Sequence, residues 1–217
     1  MAAKVYKDGA GKRLPSVTTI IGRFKDSGAL LYWANNAGLD GKTLDQARAP
    51  AATAGTLAHS MVEAHLNKRE MPDVKGYDSD VVAKAQGAFD AYLSWSEMSR
   101  LQIRHTEVSL ASDKHKFGGT LDAIGVLAGS SGLAIVDWKS SNGVYADYLY
   151  QLAAYKILWE EAYPEHPITG GAHLCRFAKE AGDYAHHYFP SLAEEEQTFL
   201  LMRQLYDRVK KTETRVR

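Results

Sequence analysis

The spacing of apolar residues divides the chain into a helical first half, an extended centre and a mixed end. Between Asp78 and Arg100, the residues Val81, Val82, Ala85, Phe89, Tyr92 and Leu93 recur at the spacing of one helix face, which predicts a long amphipathic helix. Three shorter helices are predicted ahead of it. One is entered through Pro15-Ser16-Val17-Thr18-Thr19, with Ser16 or Thr18 suited to cap its first turn; one covers residues 28–36; an alanine-rich one covers residues 52–67. Residues 5–14 read as a short hairpin turning at Asp8-Gly9. In the centre the period shortens, and residues 101–110, 116–127 and 133–139 form extended runs separated by Ser-Asp and Gly-Ser-Ser-Gly turns, which predicts three consecutive strands. A helix over residues 145–163, strands at 171–177 and 184–189, and a last helix opened by a Ser191/Glu194 capping box complete the order. Helices, a three-strand meander, a helix, more strands and a closing helix predict an α/β fold with a central mixed sheet flanked by helices.

Composition narrows the class. With 217 residues, 45% of them apolar, and no repeat or long linker, one domain over residues 1–217 is expected: hairpin and helices over 1–100, strands and a helix over 101–160, strands and a helix over 161–217. No apolar run is long enough to span a membrane and the start lacks a secretory pattern, so a soluble cytoplasmic protein without membrane partners is expected. Cys175 is the only cysteine, which excludes internal disulfides and any cysteine-held zinc or iron-sulfur cluster within one subunit. A metal would have to be held by oxygen and imidazole. The 26 basic and 26 acidic residues balance, so net charge does not demand an anionic partner. Locally, Lys4, Lys7, Lys12, Arg13, Arg23, Lys25, Lys42 and Arg48 outnumber the acids of the first fifty residues; they suit one rim of a phosphate-tracking groove or an ordinary solvated surface.

Chemistry concentrates in the central strands. Alternation places Leu133, Ile135, Asp137 and Lys139 on one face of their strand and Ala134, Val136 and Trp138 on the other. On the preceding strand it groups Thr120, Asp122, Ile124 and Val126 against Leu121, Ala123, Gly125 and Leu127. Both strands read as covered on both sides, so Asp122 and Asp137 are carboxylates inside a sheet core. A buried carboxylate stays ionised only with a cation, a metal or strong hydrogen bonds. Two of them on neighbouring strands can share one divalent ion; alternatively Asp137 and Lys139 form a plain ion pair and Asp122 caps a turn.

Gly119-Thr120-Leu121-Asp122 followed by Ile135-Val136-Asp137-Trp138-Lys139 resembles the catalytic strands of the PD-(D/E)XK nuclease superfamily. Glu107, in His105-Thr106-Glu107-Val108, corresponds to that family's acidic residue on the preceding strand. Gly55-Thr56-Leu57-Ala58-His59 is similar to the helix histidine of the RecB-like branch, and Gln151-Leu152-Ala153-Ala154-Tyr155 to its Gln and Tyr one turn apart. Leu14-Pro15-Ser16-Val17-Thr18 resembles an opening motif of small phage exonucleases and of the mitochondrial genome maintenance exonuclease. The order of the five motifs discriminates more than any one of them.

The resemblance implies a restriction-endonuclease-like core and a DNA exonuclease of phage recombination or replication, with a mild preference for 5′ to 3′ digestion. It would act in the host cytoplasm if phage-encoded, with a single-strand-binding or annealing protein as a candidate partner. It also implies Mg2+ or Mn2+ as cofactor, held by Asp122, Asp137, the Trp138 carbonyl and His59, with no iron-sulfur cluster. Magnesium favours oxygen ligands and retains waters, whereas imidazole suits manganese better. Lys139 would orient and polarise the attacking water, and Glu107 would hold the metal through water or position the nucleophile; as a plain strand residue it would face solvent. Gln151 and Tyr155 share a helix face and would position phosphate, although core packing also suits Tyr155. Ser16 and Thr18 would bind phosphate or merely cap their helix. Glu63 suits a salt bridge better than a ligand role. A structure-specific endonuclease and a noncatalytic DNA-binding module are the alternatives.

Overall fold

The computed structural model describes residues 4–25, 28–100, 102–130, 132–141, 143–177 and 183–216; Leu101, predicted to open a strand, Ser131, within a predicted turn, and the first three residues lie outside them. Strands β1 (Tyr6–Lys7) and β2 (Arg13–Leu14) form the expected antiparallel hairpin, closed by the Asp8 amide donating to the Lys12 carbonyl at 2.9 Å. Ser16, not Thr18, caps α1 (Val17–Phe24): its hydroxyl oxygen accepts the Thr19 amide at 3.0 Å. Helices α2 (Gly28–Leu39), α3 (Leu44–Leu66) and α4 (Ser79–Ser99) follow. The prediction started the third helix at residue 52, beyond Pro50. It starts at Leu44 because Thr43 and Gln46 cap it reciprocally, and Pro50 is carried inside with the loss of one amide donor.

Strands β3 (Gln102–Ser112), β4 (Phe117–Val126) and β5 (Leu133–Lys139) form the predicted meander. Helix α5 (Ala146–Ala162) carries the chain to β6 (Ile168–Phe177), which runs parallel to β5, and β7 (Tyr184–Phe189) closes the sheet. The order is β3-β4-β5-β6-β7, with every pair but β5–β6 antiparallel. The long helix α6 (Ala193–Arg215) ends the chain. The Ser191/Glu194 box expected at its start does not form. Leu192 is the cap residue, and the Ser191 hydroxyl accepts the Ala193 amide at 3.3 Å.

Two apolar cores sandwich this sheet. On one face Leu121, Ile124, Ile135 and Leu174 pack with Val17 and Ile20 of α1, Leu152 and Leu158 of α5 and Phe199 of α6. On the other, Ala123, Val136, Trp138 and Cys175 pack with Leu57 and Met61 of α3 and Phe89, Tyr92 and Trp95 of α4. The first core is tight at Gly119. A Cβ there would stand 2.7 Å from Tyr155, 3.0 Å from Val17 and 3.2 Å from Leu158. Gly119→Ala is therefore expected to lower stability by about 1–3 kcal/mol, the usual cost of overpacking, in urea denaturation.

At the β6–β7 end, His173 is buried against Tyr188, 4.8 Å between ring centroids, with its Nδ1 2.8 Å from His186 Nε2. Burial, and next the His186 ring, push its pKa down to about 4. The unfolded histidine titrates near 6.5, so between pH 6.5 and 4 the unfolded chain binds a proton that the folded chain refuses. Stability is fully present above that window and falls as pH is lowered through it, by about 3 kcal/mol from this group. Denaturation series from pH 7 to 4 should give a shallower slope for His173→Gln than for the native chain.

Candidate active site

β4 and β5 pair only through Ala123↔Val136, Ile124↔Ile135 and Gly125↔Ala134. Beyond Ala123 the strands part, and the side chain of Asp122 takes over the lost ladder bond: its Oδ2 accepts the Trp138 amide at 3.1 Å. The local alternation slips at the same place. Leu121 and Ile124 both enter the α5-side core while Ala123 enters the α4-side core, so the grouping of Asp122 with Ile124 against Leu121 is corrected by an irregularity at Asp122. Across from it, between the pairs Thr106↔Ala123 and Val108↔Leu121, Glu107 adopts a left-handed φ of 51°. Irregular strand geometry of this kind re-aims side chains that strict alternation would bury.

On β5 the predicted faces hold: Ile135 packs toward α5, and Val136 and Trp138 pack toward α3 and α4. Asp137 is 1% exposed, with the Lys139 ammonium 2.5 Å from its Oδ2. Beyond that ion pair, neither oxygen accepts a hydrogen bond of normal geometry among the described residues. Burial lifts the Asp137 pKa to about 6 against the pull of Lys139, and Asp122 adds to the rise. Burial alone would weaken the hold of Lys139 on its proton, but Asp137 and Asp122 outweigh it and raise its pKa. The ammonium also lies 5.3 Å from the Tyr148 ring centroid.

α3 brings His59 to the same place. It approaches the end of β5 so closely that a Cβ on Gly55 would stand 2.8 Å from the Ser140 hydroxyl, and His59 Nδ1 lies 3.8 Å from Asp122 Oδ2. Glu107 is bridged by Lys4 at 3.3 Å, and Lys4 also donates to Ser109 and Thr120. Burial, then the charge of Asp122, raise the Glu107 pKa. Glu63, one turn beyond His59, is paired with Arg69 at 3.1 Å, as expected for a salt-bridge residue.

Among the described residues, no three His, Cys, Asp or Glu side chains form a ready-made cation cage. The donor chemistry nonetheless fits a hard divalent ion that keeps part of its water shell: Asp137 has buried oxygens with spare acceptor capacity. In addition, a gap of about 10 Å3, the size of one water or ion, lies between His59, Glu107, Asp122 and Trp138.

The remaining predicted residues are placed differently. Gln151 Nε2 donates to the Tyr155 hydroxyl at 2.6 Å, and Tyr155 is buried, its pKa pushed well up by burial and by the nearby charges of Asp137 and Asp122. Tyr155 is thus positioned to hold Gln151 from within the core rather than to touch phosphate itself. Ser16 is occupied by capping and by the Thr18 and Thr19 hydroxyls at 3.0 and 2.7 Å, and it lines a separate pocket of about 480 Å3 with Lys4, Arg13 and Lys210. Thr18 is exposed on α1. Lys139, His59 and Glu107 open onto a larger groove of about 760 Å3, which Trp33, Arg48 and Tyr148 also line. Lys4 and Arg48 are two of the eight basic residues suited to the rim of a groove or to a solvated surface, and no sequence pattern singles out Trp33 from the other aromatic residues.

No curated protein sequence matches the chain. Solved structures do. A candidate exonuclease from Eubacterium rectale aligns at 12% identity and a TM-score of 0.46 over 70% of this chain, which spans 64% of that protein. The complex of LHK-Exo with dAMP aligns at 10% identity and a TM-score of 0.37, over 75% of this chain and 86% of the other. LHK-Exo, an alkaline exonuclease from Laribacter hongkongensis, also aligns in a second structure at 9% identity and a TM-score of 0.35, over 75% and 85% of the two chains. These likenesses are too distant to carry weight beside a match at the level of sequence. The sequence profile of the PD-(D/E)XK nuclease superfamily fits residues 19–217, nearly the whole folded chain including both aspartates and Lys139, and the protein belongs to that superfamily.

Proposed function

We propose that the protein is a Mg2+- or Mn2+-dependent DNA exonuclease of the RecB-like branch, digesting 5′ to 3′ in a phage-type recombination or replication pathway alongside a single-strand-binding or annealing protein. The observation that carries the reading is the convergence of Asp122, Asp137 and Lys139 where β4 and β5 part, beside a groove of about 760 Å3. Exonuclease action, polarity and pathway rest on the motif order in the sequence. Asp122, Asp137, His59 and the Trp138 carbonyl would hold the cation. When bound, such an ion offsets charge on the phosphoryl oxygens and makes a water more acidic.

The protein's own groups do the rest. Lys139, protonated and fixed beside Asp137, orients the attacking water and faces the charge that builds on the phosphate. Glu107, whose carboxyl holds its proton more firmly than in water, is placed on the other side of Asp122 to position that water. Gln151, braced by Tyr155, orients a neighbouring phosphate. The test compares end-labelled linear DNA with covalently closed circles, with Mg2+, Mn2+ or chelator present. The reading expects metal-dependent loss of the linear label with circles intact; efficient cutting of circles would remove the requirement for an end.

A further inference from the structure

The groove beside Asp137 and Lys139 has an aromatic wall that the reaction just described does not use. Trp33 of α2 is 39% exposed, whereas Trp95, Trp138 and Trp159 are each 4% exposed or less, and all four lie among the described residues. Trp33 lines the groove together with Tyr148, whose ring is 5.3 Å from the Lys139 ammonium. Tyr145, 51% exposed, packs edge-on against Tyr148 with ring centroids 5.6 Å apart. The lining contributed by α3 includes the small residues Ala51, Ala52 and Gly55, which leave room for a flat group beside His59 and Glu63. Arg48 lines the same wall without an acidic partner among the described residues.

Aromatic rings interleaved with cations are what an unpaired nucleotide recognises: the ring takes the base face and the cation tracks the backbone. Inside a duplex the base faces are already stacked and only their edges are offered, and at its end only the face of the terminal pair is free, so unpaired bases suit such a wall better. The volume, about 760 Å3, is also that of a small-molecule pocket rather than of a duplex channel.

We propose that Trp33 and Tyr148 form a stacking wall for unpaired bases beside the scissile phosphate, so that the substrate is a single-stranded DNA end. The inference rests on the nuclease reading for the identity of the ligand as DNA, but it makes a separate claim about strand state. Trp33 acts as a positioning residue, holding the base next to the cut phosphate while the groups of β4 and β5 act on the phosphate itself.

The exposed indole supplies its own reporter, since the other three tryptophans are shielded. Full-length Asp137→Asn protein is titrated with a fluorescein-labelled twelve-residue thymidine oligonucleotide and with a labelled blunt duplex of the same length, following tryptophan emission for the quench and the anisotropy of the label for the affinity. The single strand should quench the emission and bind at least tenfold more tightly than the duplex. Trp33→Leu in the same background should abolish the quench and weaken single-strand binding by roughly 5- to 100-fold, the worth of one base–aromatic stack, with Trp33→Phe recovering most of the affinity. The same titration of the native chain in chelator guards against a defect peculiar to Asp137→Asn. Equal binding of the two DNA forms, or single-strand affinity unchanged in Trp33→Leu, overturns the proposal. If the native chain with metal fails to cut DNA while this binding pattern persists, the nuclease reading fails and the stacking wall stands.

Discussion

Replacing Asp137 by Asn should remove at least about 10^3-fold of the nuclease activity and yet make the metal-free protein more stable. The two effects share one cause. Asp137 is almost completely buried and lacks a well-formed hydrogen bond to either oxygen, and even with Lys139 beside it the carboxyl titrates near 6 rather than at its ordinary value of 3.8. Because the folded pKa is raised, the carboxyl costs nothing below the unfolded value, and an increasing penalty develops as pH rises from about 4 to about 6. Above pH 6 the penalty is constant. An amide avoids it. Urea denaturation of Asp137→Asn in chelator at pH 7.5 should show a higher midpoint than the native chain, with the gain shrinking toward pH 4. A midpoint that falls instead would identify Asp137 and Lys139 as a structural ion pair, the plainer alternative that the sequence left open.

Lys139→Met should behave in the opposite way on stability while also abolishing activity. Lys139 is the cation that accompanies Asp137 into the core; its side chain is 17% exposed and can still reach water, whereas Asp137 is 1% exposed, so removing the lysine leaves the more deeply buried charge uncompensated. The expected loss is about 3–5 kcal/mol at pH 7.5, smaller at pH 5 where Asp137 can take up a proton. Activity should drop by about 10^2- to 10^4-fold, the range attributed to a positioned proton-handling group. The double variant Asp137→Asn/Lys139→Met should recover the stability lost by Lys139→Met and none of the activity, so a double-mutant cycle in urea gives a large coupling between the two positions. Additive effects would mean that the two side chains do not share one electrostatic environment.

What could be read from the sequence follows what local patterns encode. The strand faces of β5 came out as alternation predicts, because Ile135, Val136 and Trp138 each fill a core that a two-residue period can see. The helix order and the mixed sheet came out for the same reason. The face of Asp122 did not, because the slip between Leu121 and Ala123 and the left-handed backbone at Glu107 are cross-strand irregularities with no period of their own. The alanine-rich pattern marks α3 only from residue 52, beyond Pro50, and misses the Thr43-Gln46 start, a case where a reciprocal cap outweighs a missing amide. The proximity of His59 to Asp122 depends on α3 passing over the end of β5 at Gly55, and that of Lys4 to Glu107 on the hairpin folding back across β4; both are tertiary facts. Tyr155 was read as facing either phosphate or the core, and only packing could choose: it lies in the core beneath Gln151.

The most direct test of a cation shared between Asp122 and Asp137 is anomalous diffraction from crystals grown with manganese. A single strong peak at about 2.0–2.3 Å from a carboxylate oxygen of each aspartate, absent in Asp137→Asn crystals, is the result expected of a hard divalent ion held by carboxylates. A peak bound elsewhere, or none at the parted ends of β4 and β5 at millimolar manganese, would contradict it.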